Sequence, residues 1–256
     1  MKKLICALLL ILASICNAQQ VPKPFLIDKA LLSGNGLEKI VLKDNPKKRF
    51  FQKRLFKGDD LSVFMVSSET GTNTFENFPI DEFVYMFNGE AIINSNTERE
   101  QHFYEREFFM APKGFTGKWH IEAGEYLHYE LSVISTQRAD STKIIPDSRH
   151  ILFDKERISG TNITLNEKGY YSDELARGAE LTITFKAESP NEHLLNGMDN
   201  DRVIALLSGQ VDIKDSQNEA KSFYAGDFFI LPKGTRGEWK ASGHEIIKYI
   251  LVEKTV

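Results

Sequence analysis

Residues 112–119 read PKGFTGKW, and residues 232–239 read PKGTRGEW. The same displacement of 120 positions continues outward on both sides without a gap. It aligns Asp81 with Asp201, Gly89 with Gly209, Phe108 with Phe228, Tyr129 with Tyr249 and Leu131 with Leu251. A period this long exceeds the roughly 20 to 50 residues of a solenoid repeat, so each copy is predicted to be a small domain with its own core.

Both copies have the pattern of an all-β fold. Short runs rich in Val, Ile, Phe and Tyr are separated by Gly, Pro, Asn and Asp, as is typical of a sandwich or barrel. In the second copy Leu181, Ile183 and Phe185 alternate with threonines, which is the period of a half-buried strand. The sequence therefore predicts two tandem β-barrels.

One strand in each copy is apolar on both faces: residues 83–87 and their counterparts, residues 203–207. Such a strand must be covered on both sides. One cover is its own barrel, and the other is predicted to be the sister domain or a second subunit in a homodimer.

The first residues resemble an export signal, with Lys2 and Lys3 ahead of an apolar run and Ala18 at a suitable cleavage position. We therefore expect a signal peptide at 1–18, an N-terminal domain at 19–135, a linker at 136–146 and a C-terminal domain at 147–256. A periplasmic or secreted protein, not inserted in the membrane after cleavage, is predicted. A lipid anchor on Cys16 is the alternative, although the bulky Ile15 disfavours it.

The charge balance argues against nucleic acid as a partner. The chain has 32 basic and 36 acidic residues, and loss of the signal would remove two of the basic ones. Nucleic-acid binding needs a basic patch, and the basic cluster at 47–49 is interpreted as solvated surface. A small-molecule ligand is the predicted partner.

Two short motifs connect the chain to a known family. Glu82 precedes Gly89 by seven positions, and a stretch of the form GDxxxxPxG covers residues 226–234. This pattern resembles that of the cupins, which are jelly-roll barrels also described as double-stranded β-helices. The residues of these motifs are similar in particular to those of the group that includes (S)-ureidoglycine aminohydrolase and the ethanolamine-utilisation cupins. The resemblance implies a bicupin fold and, for that group, a metal-dependent hydrolase or aminohydrolase acting on a small nitrogenous compound.

The metal ligands that the resemblance implies are missing. Metal-dependent cupins supply two His before the motif Glu and a third after the Gly of the Pro-x-Gly turn, because imidazole and carboxylate lone pairs together hold a transition metal. Only Glu82 remains in the first copy, and Arg202 takes its place in the second. An Arg carries a fixed charge and no lone pair to donate. The other ligand positions hold Phe75, Glu76, Asn77, Phe78 and Gly117 in the first copy, and Leu195, Asn196, Gly197, Met198 and Gly237 in the second. No metal and no cofactor are predicted.

The six histidines offer weak substitutes. They are His102, His120, His128, His150, His193 and His244. Strand alternation directs Trp119 and Ile121 inward and His120 outward, and it directs His128 away from its apolar neighbours. These two are predicted to be surface or hydrogen-bonded residues, whereas His193 is placed in a loop near a barrel mouth. A rebuilt site that uses Glu82, Glu76 and a histidine stays open, since a bulge would break the alternation.

The candidate site is therefore a pair of unlike barrel interiors. Glu82 and Trp119 are predicted to face into the first barrel, and Arg202 and Trp239 into the second. A buried charge needs a partner or a ligand, so Arg202 suits a carboxylate or similar anion and Glu82 an amine or guanidinium. The leading prediction is an exported bicupin that binds a small polar or anionic ligand; the alternative is the metal-dependent hydrolase. In a third interpretation, side chains fill both interiors.

Overall fold

A computed structural model describes residues 22–43, 45–95, 100–138, 151–153, 155–160, 162–244 and 246–255. The predicted signal peptide, most of the predicted linker and His150 lie outside these ranges. Neither helix of the described ranges has the length and apolar character needed to cross a bilayer.

The described residues of the first half of the chain form eleven strands and one short helix. In order they are β1 Phe25–Leu26, α1 Lys29–Leu32, β2 Glu38–Lys39, β3 Phe50–Lys57, β4 Leu61–Ser68, β5 Gly71–Phe75, β6 Glu82–Asn88, β7 Glu90–Ser95, β8 Gln101–Phe103, β9 Phe108–Ala111, β10 Gly117–Glu122 and β11 His128–Ser135.

The second half repeats this order after a connecting strand and helix. Its elements are β12 Ile151–Leu152, α2 Lys155–Ser159, β13 Tyr170–Arg177, β14 Leu181–Glu188, β15 Asn191–Asn196, β16 Arg202–Ser208, β17 Gln210–Asp215, β18 Ala220–Tyr224, β19 Phe228–Leu231, β20 Arg236–Ser242 and β21 Ile247–Lys254. Residues 151 and 152 form β12, and the second helix begins at Lys155.

Each half folds into a barrel made of one large and one small antiparallel sheet. The first barrel has the strand orders β12-β9-β6-β11-β4-β3-β2 and β5-β10-β7-β8, and the second has β1-β19-β16-β21-β14-β13 and β15-β20-β17-β18. The predicted all-β fold with two tandem barrels is confirmed. Gly89 and Gly209 have φ angles of 86° and 83° at the turns from β6 to β7 and from β16 to β17, a conformation that favours glycine.

The two halves exchange edge strands. Strand β1, from the start of the chain, pairs with β19 of the second barrel. Strand β12, which follows the predicted linker, pairs with β9 of the first barrel. Each large sheet therefore ends in two residues contributed by the other half of the sequence.

The apolar faces of the two large sheets pack against each other. Phe83 and Val133 of the first barrel belong to the same buried cluster as Val203 and Ile250 of the second. The alternate residues Val84 and Ile204 point into their own barrels. The strand that is apolar on both faces is thus covered by the sister domain, and a homodimer is not needed for that purpose.

The last strand of each barrel departs from the constant displacement of 120. Val84 pairs with Ser132 in the first barrel, whereas Ile204 pairs with Leu251 in the second. Ser132 and Leu251 are therefore equivalent, at a displacement of 119, and the ungapped alignment of Leu131 with Leu251 was wrong. Leu131 faces the sister domain and Leu251 faces its own barrel. One residue is absent from the loop before β21, and the identity of the two leucines concealed it.

Candidate ligand-binding site

A cavity of about 720 Å³ lies in the first barrel. Its wall comes from strands β3, β4, β5, β6, β10 and β11 and from residues between 42 and 48. Glu82 and Trp119, the two residues that the sequence places in this interior, both line it. Trp119 and Ile121 are buried and His120 is only half-buried, as the strand alternation predicts.

Glu82 is the first residue of β6 and lies beside β11 in the barrel. The hydroxyl of Ser132 donates a hydrogen bond to Glu82 Oε1. Burial and then the negative charge of Glu130 raise the pKa of Glu82 to about 7, although the hydrogen bond from Ser132 opposes the shift. The Glu82 carboxyl can therefore accept or donate a hydrogen bond near neutral pH.

His128 and Glu130 form a buried pair on the same strand. His128 Nε2 lies 3.3 Å from Glu130 Oε2, and the backbone N–H of Ser68 donates to His128 Nδ1 at 3.0 Å. Burial of the ring lowers the pKa of His128, but the charge of Glu130 and the hydrogen bonds outweigh it, so the pKa lies above its ordinary value.

The sequence correctly predicts that His128 points away from its apolar neighbours. The side it faces, however, is the interior of the barrel. His128, Glu130 and Ser132 point away from the apolar set that contains Leu131. That apolar set packs against the second domain, so the polar row faces the barrel interior. His128 is 2% exposed and hydrogen-bonded. A strand buried on both faces gives no sequence signal for which face is the interior.

Aromatic rings occupy the wall where the family resemblance would place metal ligands. The rings of Phe75 and Phe78 lie 5.0 Å apart, and each is 6.1 Å from the Trp119 ring. A Cβ at Gly117 would come within 2.3 Å of the backbone oxygen of Asn94, so this position has no room for a ligating side chain.

The side chains present do not fit a cupin metal centre. Within the described ranges, no three His, Cys, Asp or Glu side chains are grouped as a metal site requires. This includes the alternative built from Glu82, Glu76 and a histidine. Metal-ligating residues have to converge with free lone pairs, whereas His128 and Glu130 point at each other.

Lys48 is a lining residue that the sequence interpretation missed. It belongs to the basic cluster interpreted as solvated surface, yet it is only 7% exposed and lines the cavity. Its neighbours Lys47 and Arg49 are exposed, as predicted. Leu42, Lys43 and Asn45 line the same cavity, where Lys48 approaches β5, and no local pattern indicates that contact.

The second barrel is filled more completely. Arg202 and Trp239 both line a space of only about 60 Å³. Arg202 Nε lies 3.3 Å from Glu253 Oε2, and Trp239 Nε1 donates to Glu188 Oε1 at 3.1 Å. His193 stacks on Trp239 at a centroid distance of 5.9 Å; it belongs to strand β15 and not to the predicted loop.

The difference between the interiors follows from the equivalent positions on the last strand. His128, Glu130 and Ser132 of the first barrel correspond to Ile247, Tyr249 and Leu251 of the second. The second set packs into the apolar core of its barrel. The row of His, Glu and Ser on the last strand of the first barrel therefore has no counterpart in the second.

Comparisons with known proteins support the fold. Residues 196–249 match the family model described as the EutQ-like cupin domain. A solved protein of unknown function from Pseudomonas syringae pv. tomato is similar at a TM-score of 0.66 and 14% identity, over 91% of this chain and 99% of its own. The chain therefore has a two-domain cupin fold.

Two further solved proteins are similar in fold. A cupin 2 conserved barrel domain protein from Leptotrichia buccalis gives a TM-score of 0.56 at 17% identity, over 92% of this chain and 98% of its own. Salicylate 1,2-dioxygenase from Pseudaminobacter salicylatoxidans gives 0.61 at 10% identity, over 91% and 84%. At such identities the likeness shows the fold alone. No curated protein sequence matches this cupin significantly.

Proposed function

We propose that this cupin binds a small polar molecule in the cavity of its first barrel. The observation that carries the proposal is the 720 Å³ space beside Glu82 and Trp119, which lies in the range of about 300 to 1,000 Å³ usual for small-molecule sites. An aromatic wall and a few convergent polar groups are also what such sites require.

The interior of the second barrel supports the binding of a small anion only. Lys186, His193 and Arg202 surround the 60 Å³ space, and Arg202 Nε is buried without a hydrogen bond among the described residues. Lys186 and Arg202 favour the anion predicted for Arg202 and Trp239, but the space suits only an anion of a few atoms. The larger ligand is assigned to the first barrel.

The alternative is a metal-dependent hydrolase or aminohydrolase of a small nitrogenous compound. It is the less favoured proposal because the aromatic rings and Gly117 replace the donors that such an enzyme would need. Metal analysis of the purified protein separates the two. One bound transition-metal ion per chain, with hydrolysis that chelators abolish, would favour the hydrolase.

Export forms part of the proposal. The charged start and apolar run at 1–18 support a periplasmic or secreted location. Fractionation of the producing cells tests it: we expect the protein in the exported fraction with its first residue at Gln19. A protein that keeps Met1 and stays in the cytoplasm would contradict export without affecting the cavity.

Blocking each barrel in turn tests the site. Val66 of β4 lines the cavity of the first barrel, and its equivalent Lys186 of β14 lines the space in the second. A panel of small polar metabolites is screened by ligand-observed NMR against the wild type, Val66→Trp and Lys186→Trp, with folding checked by circular dichroism. Ligands should be lost with Val66→Trp and retained with Lys186→Trp; the reverse would place the site in the second barrel.

A further inference from the structure

Lys48 places an ammonium group on the wall of the first cavity. Its side chain is 93% buried, as its 7% exposure implies. Lys48 Nζ lies 3.5 Å from Asn73 Oδ1 and would lie 3.4 Å from a Cβ at Gly71. The charged end of Lys48 is therefore held against β5 at the cavity.

Lys48 forms no ion pair with any of the described residues. Within the described part of the chain, no carboxylate oxygen lies within 4.0 Å of Nζ, and its hydrogen bond to Asn73 is long. The neighbouring Glu69 is bound by Arg49, whose Nε lies 2.8 Å from Glu69 Oε2 and whose backbone N–H donates to Oε1 at 3.0 Å. A buried ammonium without an anion is costly, and a ligand that brings an anion would supply the missing partner.

A carboxyl group lies elsewhere on the same lining. His128 Nε2 lies 3.3 Å from Glu130 Oε2, so Glu130 already has a partner within the protein. The hydrogen bond to Glu82 comes from the uncharged hydroxyl of Ser132. Glu82 is thus the carboxyl of the cavity that a cationic group can still bind.

From these contacts we infer that the ligand is a zwitterion. Its carboxylate, or a similar anion, binds Lys48 and Asn73, and its ammonium or guanidinium group binds Glu82. The rings of Phe75 and Trp119 form the wall for a planar or apolar middle portion. This inference rests on the proposed function, because it names the class of ligand for the same cavity.

Three related probes test the inference: 4-(aminomethyl)benzoate carries both charges, benzoate only the anion and benzylamine only the cation. Affinities are measured by NMR titration at millimolar concentrations for the wild type, Lys48→Gln and Glu82→Gln. Lys47→Gln is the matched control, since Lys47 belongs to the same basic cluster and is exposed.

The zwitterion should bind the wild type most tightly. Lys48→Gln should weaken both carboxylates by about tenfold, the usual cost of losing a charge-assisted hydrogen bond, and leave benzylamine unchanged. Glu82→Gln should weaken the binding of 4-(aminomethyl)benzoate and benzylamine and leave benzoate unchanged. Lys47→Gln should change the affinity of none of the three probes. Lys48→Met gives the same test with an apolar side chain.

The outcomes separate the inference from the proposed function. One outcome is that Val66→Trp abolishes probe binding while Lys48→Gln and Lys48→Met leave the binding of the carboxylate probes unchanged. In that case the assignment of a zwitterionic ligand is wrong and the cavity remains the site. If neither carboxylate binds the wild type, the inference is also wrong. If the probes bind equally to the wild type and Val66→Trp, both the inference and the proposed site are wrong.

Discussion

Asp81 and Asp201 make the same contacts in opposite directions across the domain boundary. Asp81 Oδ2 accepts hydrogen bonds from the backbone N–H groups of residues 180 and 181, at 2.5 and 3.2 Å. Asp201 Oδ2 accepts them from residues 60 and 61, at 2.7 and 3.1 Å. The two aspartates are 120 positions apart, and so are the N–H groups that they accept from. Each copy of the repeat therefore holds the other barrel by the same pair of hydrogen bonds.

Close packing accompanies this link. A Cβ at Gly58 would lie 2.1 Å from Asp201 Oδ2, and one at Gly178 would lie 2.1 Å from Asp81 Oδ2. The identity of Asp81 with Asp201 therefore reflects domain assembly and not a shared ligand site. The adjacent residues, Glu82 and Arg202, are where the copies differ.

Replacing either aspartate should loosen the contact between the domains. Asp81→Ala and Asp201→Ala each leave buried backbone N–H groups without an acceptor, so each should lower the free energy of unfolding by about 1 to 3 kcal/mol. Urea unfolding measures the change. The exposed Asp199 provides the control: Asp199→Ala should cost less than about 0.5 kcal/mol, and equal losses at 199 and 201 would contradict the link.

Glu82 should make stability depend on pH. Its pKa of about 7 lies above the value for an unfolded chain, so its contribution is complete below about pH 4.3 and is lost as pH rises through 7. The loss should be about 1 to 3 kcal/mol between pH 5 and 8. Urea unfolding across this range should show a smaller loss for Glu82→Gln than for the wild type. The exposed Glu76 is the control, and equal pH profiles for wild type and Glu82→Gln would exclude the raised pKa.

His128 and Glu130 should be coupled in stability. His128→Leu leaves the Glu130 carboxylate buried without its partner, which should cost about 3 kcal/mol at pH 6. Combining it with Glu130→Leu should recover most of the loss, because the second barrel has the apolar Ile247 at the equivalent position. A double-mutant cycle measures the coupling; additive losses would show that the pair does not interact.

Lys48 should lower the free energy of unfolding of the ligand-free protein. Lys48→Met removes a buried ammonium without a charge partner, so it should leave the free energy of unfolding unchanged or raise it by about 1 kcal/mol. Lys47→Met, on the exposed neighbour, should have no effect. A loss above about 2 kcal/mol for Lys48→Met would mean that Lys48 stabilises the fold, contrary to a role in binding.

The sequence predicts the scaffold well because the scaffold is periodic. Glycines at 89 and 209, the repeated PKG turns and the alternating strands all carry local signals. Glu82 and Trp119 are placed in one interior by the same alternation. The sequence does not identify Lys48, His128 or Glu130 as lining residues, because their position depends on contacts between distant segments.

Two physical circumstances hide those residues. The large sheets are buried on both faces, so the apolar row with Leu131 suggests a barrel interior but is the contact between domains. The basic cluster at 47–49 has the composition of a solvated surface, yet the fold buries Lys48, one member of it. Neither burial of a sheet on both faces nor burial of one residue of a basic cluster can be predicted from the local sequence pattern.

The central claim, that the first barrel is the ligand site, has a direct test in the two tryptophans. Each barrel holds one, Trp119 in the first and Trp239 in the second, so their indole N–H signals report on the two interiors separately. The signals are assigned with Trp119→Phe and Trp239→Phe and followed by ¹H–¹⁵N NMR as 4-(aminomethyl)benzoate is added. The account predicts that the Trp119 signal shifts with saturation while the Trp239 signal, held by Glu188, stays in place. A saturating shift of Trp239 with Trp119 unmoved would contradict it.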